Sequence, residues 1–184
     1  MRHGQTVFNE RELVQGFFDS PLTEHGKKQV IHTKQFFKEN GVTFDYAYTS
    51  TQERASDTLE LITDLPYIRL KGIKEMYFGL LEGEPIELLC AVGDYYENPD
   101  AMVQFGGESV HAVSERMTNS LTGVMNKGNH QNVLVVSHKS AIKSFLWGLD
   151  KKYYAMELNN CAVIKFEYEN GKFTFLESID HDFE

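Results

Sequence analysis

The sequence predicts an α/β domain: a three-layer sandwich with a mostly parallel central sheet and a C-terminal β-hairpin. Three observations carry this reading. Strand-like and helical stretches alternate along the chain. Asn132 to Ser137 is nearly all apolar, as expected of a central parallel strand covered on both faces. Asn170-Gly171 separates two alternating segments, Ala162 to Tyr168 and Lys172 to Leu176, which is the strongest short-range signal for a hairpin with a type I′ turn.

Taken in order, Thr23 starts a helix that runs to the stop signal Asn40-Gly41, with Val30 and Phe37 on one face. Phe44 to Thr49 reads as a strand. Ser50 and Glu53 then make a capping box for a helix through Ile62. Pro66 precedes a short strand, Tyr67 to Leu70. Val110, Val113, Met117, Leu121 and Val124 recur at helical spacing and predict a long amphipathic helix. The Asn132 to Ser137 strand leads into a short helix through Trp147, and the hairpin closes the chain.

No repeat, low-complexity tract or Pro/Gly-rich linker divides the 184 residues, so residues 1–184 are read as a single domain. A chain of this length buries roughly 70% of its unfolded surface. Eighteen Lys and Arg against 27 Asp and Glu leave a net charge of −9. That balance argues against nucleic acid and anionic membranes as partners. Taken alone, it also counts slightly against phosphate chemistry. Cys90 and Cys161 are too few for a disulfide framework or a zinc cage and read as small buried hydrophobes. No apolar run is long enough to span a membrane and no signal-peptide core opens the chain, so the expected location is cytoplasmic.

The chemistry-bearing residues cluster by topology. Arg2-His3-Gly4 opens the chain, followed by Asn9; Arg54 opens a helix after one strand; Glu75 follows another; His138 closes a third. Each falls just beyond the carboxyl end of a different strand, the edge where open α/β sheets bind ligands. A terminal Arg-His pair alone is the ordinary content of a frayed tail. Arg54 alone is the partner of Glu53 or Asp57, and Glu75 alone is a surface acid with Glu82 as its rival. Four such groups converging on one edge is much less expected by chance. His25, His32, His111, His130 and His181 lack such a context and read as surface residues. Gly107-Glu108-Ser109 reads as a loop and helix start, since His111 stands where a nucleophile elbow needs glycine. His25-Gly26-Lys27-Lys28 is no P-loop, because Pro21 replaces the first glycine and no Ser or Thr follows the lysine.

Together these motifs make the sequence resemble the histidine phosphatase superfamily, the phosphoglycerate mutase-like proteins. The carrying residues are Arg2-His3-Gly4, Gln15-Gly16 with Asp19-Ser20-Pro21-Leu22-Thr23, and Ser50 with Arg54-Ala55. Glu75, Gly79 and Glu82-Gly83, then Gly107-Glu108-Ser109, then Ser137-His138 complete the set, in order over nearly the whole chain. The resemblance implies a nucleophilic His3 that forms a phosphohistidine, with Arg2, Arg54, Asn9 and His138 holding the phosphoryl group. It implies Glu75 as general acid and then base, and further contacts from backbone near Gln15 and Gly16. Neither a metal nor another cofactor is implied. The chemistry agrees: two arginines and a second histidine suit the charge of a transferring phosphoryl group. Glu75 needs a raised pKa and hence partial burial, which Tyr77, Phe78 and Leu80 beside it can supply.

Two departures stand out. The family carries an apolar strand before the Arg-His-Gly triplet and only Met1 precedes it here, so the natural chain is expected to start further upstream. Without that strand a sheet position would stand empty and His3 would be poorly held. The family also has glycine after the second histidine, where Lys139 and Ser140 stand here; Lys139 either adds a phosphate contact or faces solvent. Residues from about 80 to 106 are expected to form a small cap, with Tyr95, Tyr96 and Phe105 as its lining. Its acidic residues, Glu84, Glu87, Asp94, Glu97 and Asp100, weigh against highly anionic substrates. The leading expectation is a phosphatase acting on a small phosphorylated metabolite. A phosphoglycerate mutase is the rival, disfavoured by the compact stretch between Glu75 and His138. A catalytically impaired protein that binds phosphorylated ligands is the third reading.

Overall fold

The computed structural model describes residues 1–180, so His181 lies outside the described residues. One helical turn, α1 (Val7–Glu10), and the long helix α2 (Glu24–Glu39) precede strand β1 (Tyr46–Ser50), helix α3 (Glu53–Ile62) and strand β2 (Tyr67–Leu70). Then come α4 (Ile86–Ala91), α5 (Val110–Met125), β3 (Val133–Val136), α6 (Lys139–Leu149) and the hairpin strands β4 (Val163–Glu169) and β5 (Lys172–Ile179).

The sheet order is β2-β1-β3, all parallel, with Ala47 beside Tyr67 and Thr49 beside Val136. Strand β1 thus lies between β2 and β3, and β3 is itself interior, as its apolar run predicts. The free side of β3 is taken by the start of the chain. The Met1 ammonium donates to Val135 O at 2.6 Å, Ser137 N to Met1 O at 2.9 Å and His3 N to Ser137 O at 3.1 Å. On their other side Arg2 N reaches Ala162 O and Cys161 N reaches His3 O. Three residues thus fill a strand position with hydrogen bonds on both flanks, and His3 is firmly held by backbone.

Helices cover both faces and make the three layers. On one face Val30 and Phe37 of α2 meet Ala55, Leu59 and Ile62 of α3 over Ala47, Leu134 and Val136. On the other, α5 and α6 bring Val113, Met117 and Phe145 onto Ile73 and Met76. Each Val, Leu, Ile, Phe or Met side chain fully buried here contributes about 1.5–3 kcal/mol. Thr23 Oγ1 accepts from Gly26 N to cap α2, and Gly41 follows its last turn at φ +64°, as the stop signal demands. Asn170 and Gly171 have φ of 52° and 79°, the two positive values that a type I′ turn requires. The hairpin forms a separate two-stranded sheet that packs Phe166 and Phe173 edge-on against Phe145 of α6.

Some expected details differ. The first strand begins at Tyr46 rather than Phe44 and runs through Ser50, so Ser50 caps nothing. Helix α3 starts after Gln52 without a side-chain cap, because Ser50 Oγ accepts Gln52 N and faces His138 instead. Cys161 is buried but Cys90 is exposed, since it sits on the outer side of the short helix α4. Residues 82–106 hold α4 and irregular chain, and bury Leu89, Tyr96, Ala101 and Met102 in the larger core.

Candidate active site

The carboxyl ends of β1, β2 and β3 lie at one edge of the sheet, and each delivers its group there. His3 leaves the paired N-terminal segment, Arg54 sits in the first turn of α3, Glu75 follows the turn after β2, and His138 ends β3 as the cap residue of α6. All four are buried.

The tautomer of His3 is set by its neighbours. Nδ1 lies 2.8 Å from Gly4 O, a carbonyl that can only accept, so Nδ1 carries the hydrogen. Nε2 is then a bare lone pair, with Arg54 Nε donating to it at 3.3 Å. Burial, reinforced by the cations of Arg54 and Arg2, holds the His3 pKa well below its ordinary value. The backbone here is tight: Gly4 N donates to Thr58 Oγ1, and a Cβ on Gly4 would approach Gly26 O to 2.8 Å.

Arg54 is fully buried, and all three of its guanidinium nitrogens are engaged. Besides His3, it reaches Phe18 O and Asp19 Oδ1 through Nη1 and Gly16 O through Nη2, each at 2.9 Å. Arg2 donates to Leu158 O at 2.7 Å, while its Nε is buried without a partner. Burial lowers the Arg2 pKa to about 10, which leaves it cationic at neutral pH. His138 faces His3 with ring centroids 5.2 Å apart. Its Nε2 meets Ser50 Oγ at 2.7 Å and its Nδ1 is the other buried ring or guanidinium nitrogen here without a partner. Burial lowers its pKa well below the usual value, with Arg54 adding to the effect.

Glu75 lies under the first turn of α6. Its Oε1 accepts from Met76 N and Ala141 N at 2.8 Å and its Oε2 from Ser140 N at 3.1 Å. Those donors and Arg54 favour the carboxylate, yet burial outweighs them and the pKa is raised. Behind it, Arg116 grips Glu108 through two nitrogens and donates to the carbonyls of Gly72, Lys74 and Glu75. Gln52 links acid and loop, accepting from Glu75 N and donating to Gly16 O.

The rival acid, Glu82, is placed quite differently. Its carboxylate accepts from the backbone N–H of Gly16, Phe17, Phe18 and Phe78, clasping the 16–18 loop. The Gly16 amide is therefore committed to Glu82 rather than offered to the His3 group. Gln15 is likewise spent within its loop, on Thr6 and Ser20. Asn9 closes the capping box of α1 with Thr6 and accepts from Asn160 Nδ2, which also donates to His3 O. Lys139, half-buried in the first turn of α6, has its pKa lowered by burial and then by Arg2.

Several contributors escaped sequence reasoning. Ser50 orients His138, Gln52 and the Glu108–Arg116 pair position Glu75, and Asn160 braces the His3 turn. Ser50, Gln52 and Glu108 stand inside motif stretches, and a polar residue at the end of an apolar strand is a usable signal. Asn160 had none, for it comes from a loop more than 150 residues away.

Comparison with known proteins agrees with this geometry. The chain is 30% identical over 186 aligned positions to a probable phosphoglycerate mutase of Cronobacter sakazakii, covering 93% of this chain and 84% of that protein. It is 28% identical to an uncharacterized phosphatase of Bacillus subtilis, covering 94% and 88%. The crystal structure of a phosphoglycerate mutase from Bacillus anthracis superposes with a TM-score of 0.86 at 27% identity, over 97% of this chain and 89% of that one. A phosphoserine phosphatase from Entamoeba histolytica, solved with 3-phosphoglyceric acid, gives 0.83 at 26% identity, over 98% and 94%. The sequence model of branch 1 of the histidine phosphatase superfamily matches residues 1–181, and the chain belongs to that superfamily.

Proposed function

We propose that this protein is a metal-independent phosphatase that hydrolyses a small phosphomonoester through a phosphohistidine on His3. The observation that carries the reading is the unprotonated Nε2 of His3. It is buried beside Arg54 and His138, with Glu75, whose pKa burial raises, at the same edge.

In the first step the Nε2 lone pair bonds to phosphorus as the ester P–O bond breaks, and Glu75 gives its proton to the leaving alkoxide. In the second, the Glu75 carboxylate takes a proton from water. The water oxygen bonds to phosphorus, the N–P bond breaks, and phosphate leaves with His3 restored. Arg2 and Arg54 oppose the charge on the phosphoryl oxygens. Ser50 Oγ accepts from Gln52 N, and we assign its own hydrogen to His138 Nε2. The His138 hydrogen then sits on Nδ1, where it serves as a further donor to a phosphoryl oxygen. Asn9, through Asn160, supports the same turn.

The test is phosphate release by purified protein across sugar phosphates, nucleotides, phosphoglycerates and phosphopeptides, together with the His3→Ala variant. The expected result is release by the wild type, acid-labile labelling of His3, and loss of both in the variant. Unchanged release by His3→Ala sinks the mechanism. The names of several relatives keep the mutase reading alive. Isomer formation from 3-phosphoglycerate, in place of phosphate release, identifies that outcome.

A further inference from the structure

Beside the phosphoryl site, α6, the segment after α4 and the stretch after α6 border an open cavity of about 450 Å³. Tyr95, Tyr96 and Tyr154 line it, with Lys139, Lys143 and Asp94. The tyrosines form a stack, Tyr95 on Tyr96 at 4.7 Å and Tyr96 on Tyr154 at 5.0 Å, fixed by Tyr95 Oη to Ser140 Oγ and Tyr154 Oη to Glu97. The two lysines lie one turn apart on α6, so their side chains share a face.

Among the described residues neither lysine ammonium makes an ion pair or a hydrogen bond to a carboxylate: Glu157 acts on both, and Asp94 on Lys143, only from beyond ion-pair distance, and the Tyr96 ring lies 5.8 Å from Lys143 Nζ. Asp94, the one acid in the lining, is occupied by its own neighbours, with Tyr96 N on Oδ1 and Tyr154 Oη on Oδ2. Glu84, Glu87 and Asp100 are not in the lining, so of this segment's acids only Asp94 lines the cavity, with Glu97 held on the Tyr154 hydroxyl. Burial lowers the pKa of both lysines, and Arg2 is among the charges felt by Lys139. The cations thus continue from the phosphoryl site into the cavity. A partly desolvated cation without a partner is unfavourable, and an anion placed between two of them removes that cost.

We infer that Lys139 and Lys143 form a subsite for a second anionic group, so that the preferred substrate is a small phosphomonoester that also carries a carboxylate or another phosphate. This rests on the phosphatase reading of His3. The subsite selects by charge, and Lys143 is its specificity-determining residue, because Lys139 also borders the reacting group.

Two matched pairs of substrates test it. Glycerol 3-phosphate and 3-phosphoglycerate differ in a carboxylate; fructose 6-phosphate and fructose 1,6-bisphosphate differ in a phosphate. Wild-type kcat/KM is expected to favour the anion-bearing member of at least one pair by about tenfold, and the pair that responds identifies the group. Lys143→Gln is expected to lower that ratio by about tenfold, Lys143→Arg to keep it, and rising ionic strength to shrink it. No preference in either pair, or a ratio unmoved by Lys143→Gln, overturns the subsite while leaving the phosphatase reading standing. If the wild type releases phosphate from none of the four, the wider panel above decides the phosphatase reading. Calorimetric binding of the same compounds then decides the subsite. Binding of the anion-bearing member that is about tenfold weaker in Lys143→Gln supports it, and equal binding overturns it.

Discussion

Glu75 is where competing effects on one residue can be ranked. Three backbone N–H groups and Arg54 all stabilise its ionised form, and in solvent they would depress its pKa. Full burial reverses the sign, so the proton is held to higher pH than in an ordinary carboxylic acid. A general acid is active in its protonated form, so kcat should fall as pH rises through the raised Glu75 pKa. Glu75→Gln keeps the shape and loses the proton. We expect its kcat to drop by about 10²–10⁴-fold on an alkyl phosphate, and the alkaline limb due to Glu75 to vanish. The loss should be smaller on p-nitrophenyl phosphate, whose leaving group needs less protonation. A Glu75→Gln enzyme with the wild-type rate and the wild-type alkaline limb contradicts the assignment. Glu82 offers a contrast at the same scale: four backbone donors fix its carboxylate on the 16–18 loop, so its replacement should loosen that loop rather than remove a proton.

At the scale of elements, the approach of α2 to the His3 turn depends on missing side chains. A Cβ on Gly26 would lie 2.1 Å from Gln5 O, and Gln5 N is as close as 2.8 Å. Alanine in a helix interior normally gains about 1 kcal/mol over glycine. Here the obstacle is backbone that cannot rotate away, and overpacking costs about 1–3 kcal/mol or more. Sterics should win: Gly26→Ala is expected to lower the urea midpoint by the equivalent of about 1–2 kcal/mol and to reduce activity by displacing His3. A midpoint equal to or above wild type would show that the helix shifts freely. The elements themselves were largely legible in the sequence, because their signals are local. The Thr23 cap, the Tyr67 to Leu70 strand, the stripe from Val110 to Val124 and the Asn170-Gly171 turn depend only on neighbours in the chain. So was the convergence of His3, Arg54, Glu75 and His138, since strand ends fix it. What stayed illegible is non-local pairing. Ser50 looked like a helix cap because its partner, His138, is 88 residues away, and Gly16 looked like a phosphate donor because the claim of Glu82 on its amide crosses 66 residues. That the first three residues pair along the far side of β3 is likewise a matter of strand order, which apolar content alone does not give.

The whole molecule carries a net charge of −9 at pH 7, and acidification reduces that charge and its self-repulsion, which taken alone favours the folded state. Against this stand two histidines buried without charge. His3 and His138 both have folded-state pKa values held well below the ordinary value near 6.5, by burial first and by the arginines second. In the unfolded chain each binds a proton once pH falls below about 6.5, whereas the folded state does not. Their contribution is therefore present above that pH and is lost as pH falls, at up to about 1.4 kcal/mol per pH unit for each histidine. Glu75 works with the opposite sign: its raised pKa favours folding at low pH, and that contribution is lost as pH rises. Surface repulsion is screened by salt and changes gradually, whereas the buried rings and the buried Met1 amino group, whose pKa burial lowers to about 5, are not screened, so these buried groups should dominate between pH 7.5 and 5.5. Urea unfolding across that range is expected to show stability falling with acid, more steeply than surface charge allows. His138→Asn should remove about one proton from the slope, whatever it does to stability at pH 7.5, because Glu75 and the surface are common to both proteins. A variant with the same slope as wild type would mean that His138 is not neutral and buried in the folded state, and the proposed placing of its hydrogen on Nδ1 would fall with it.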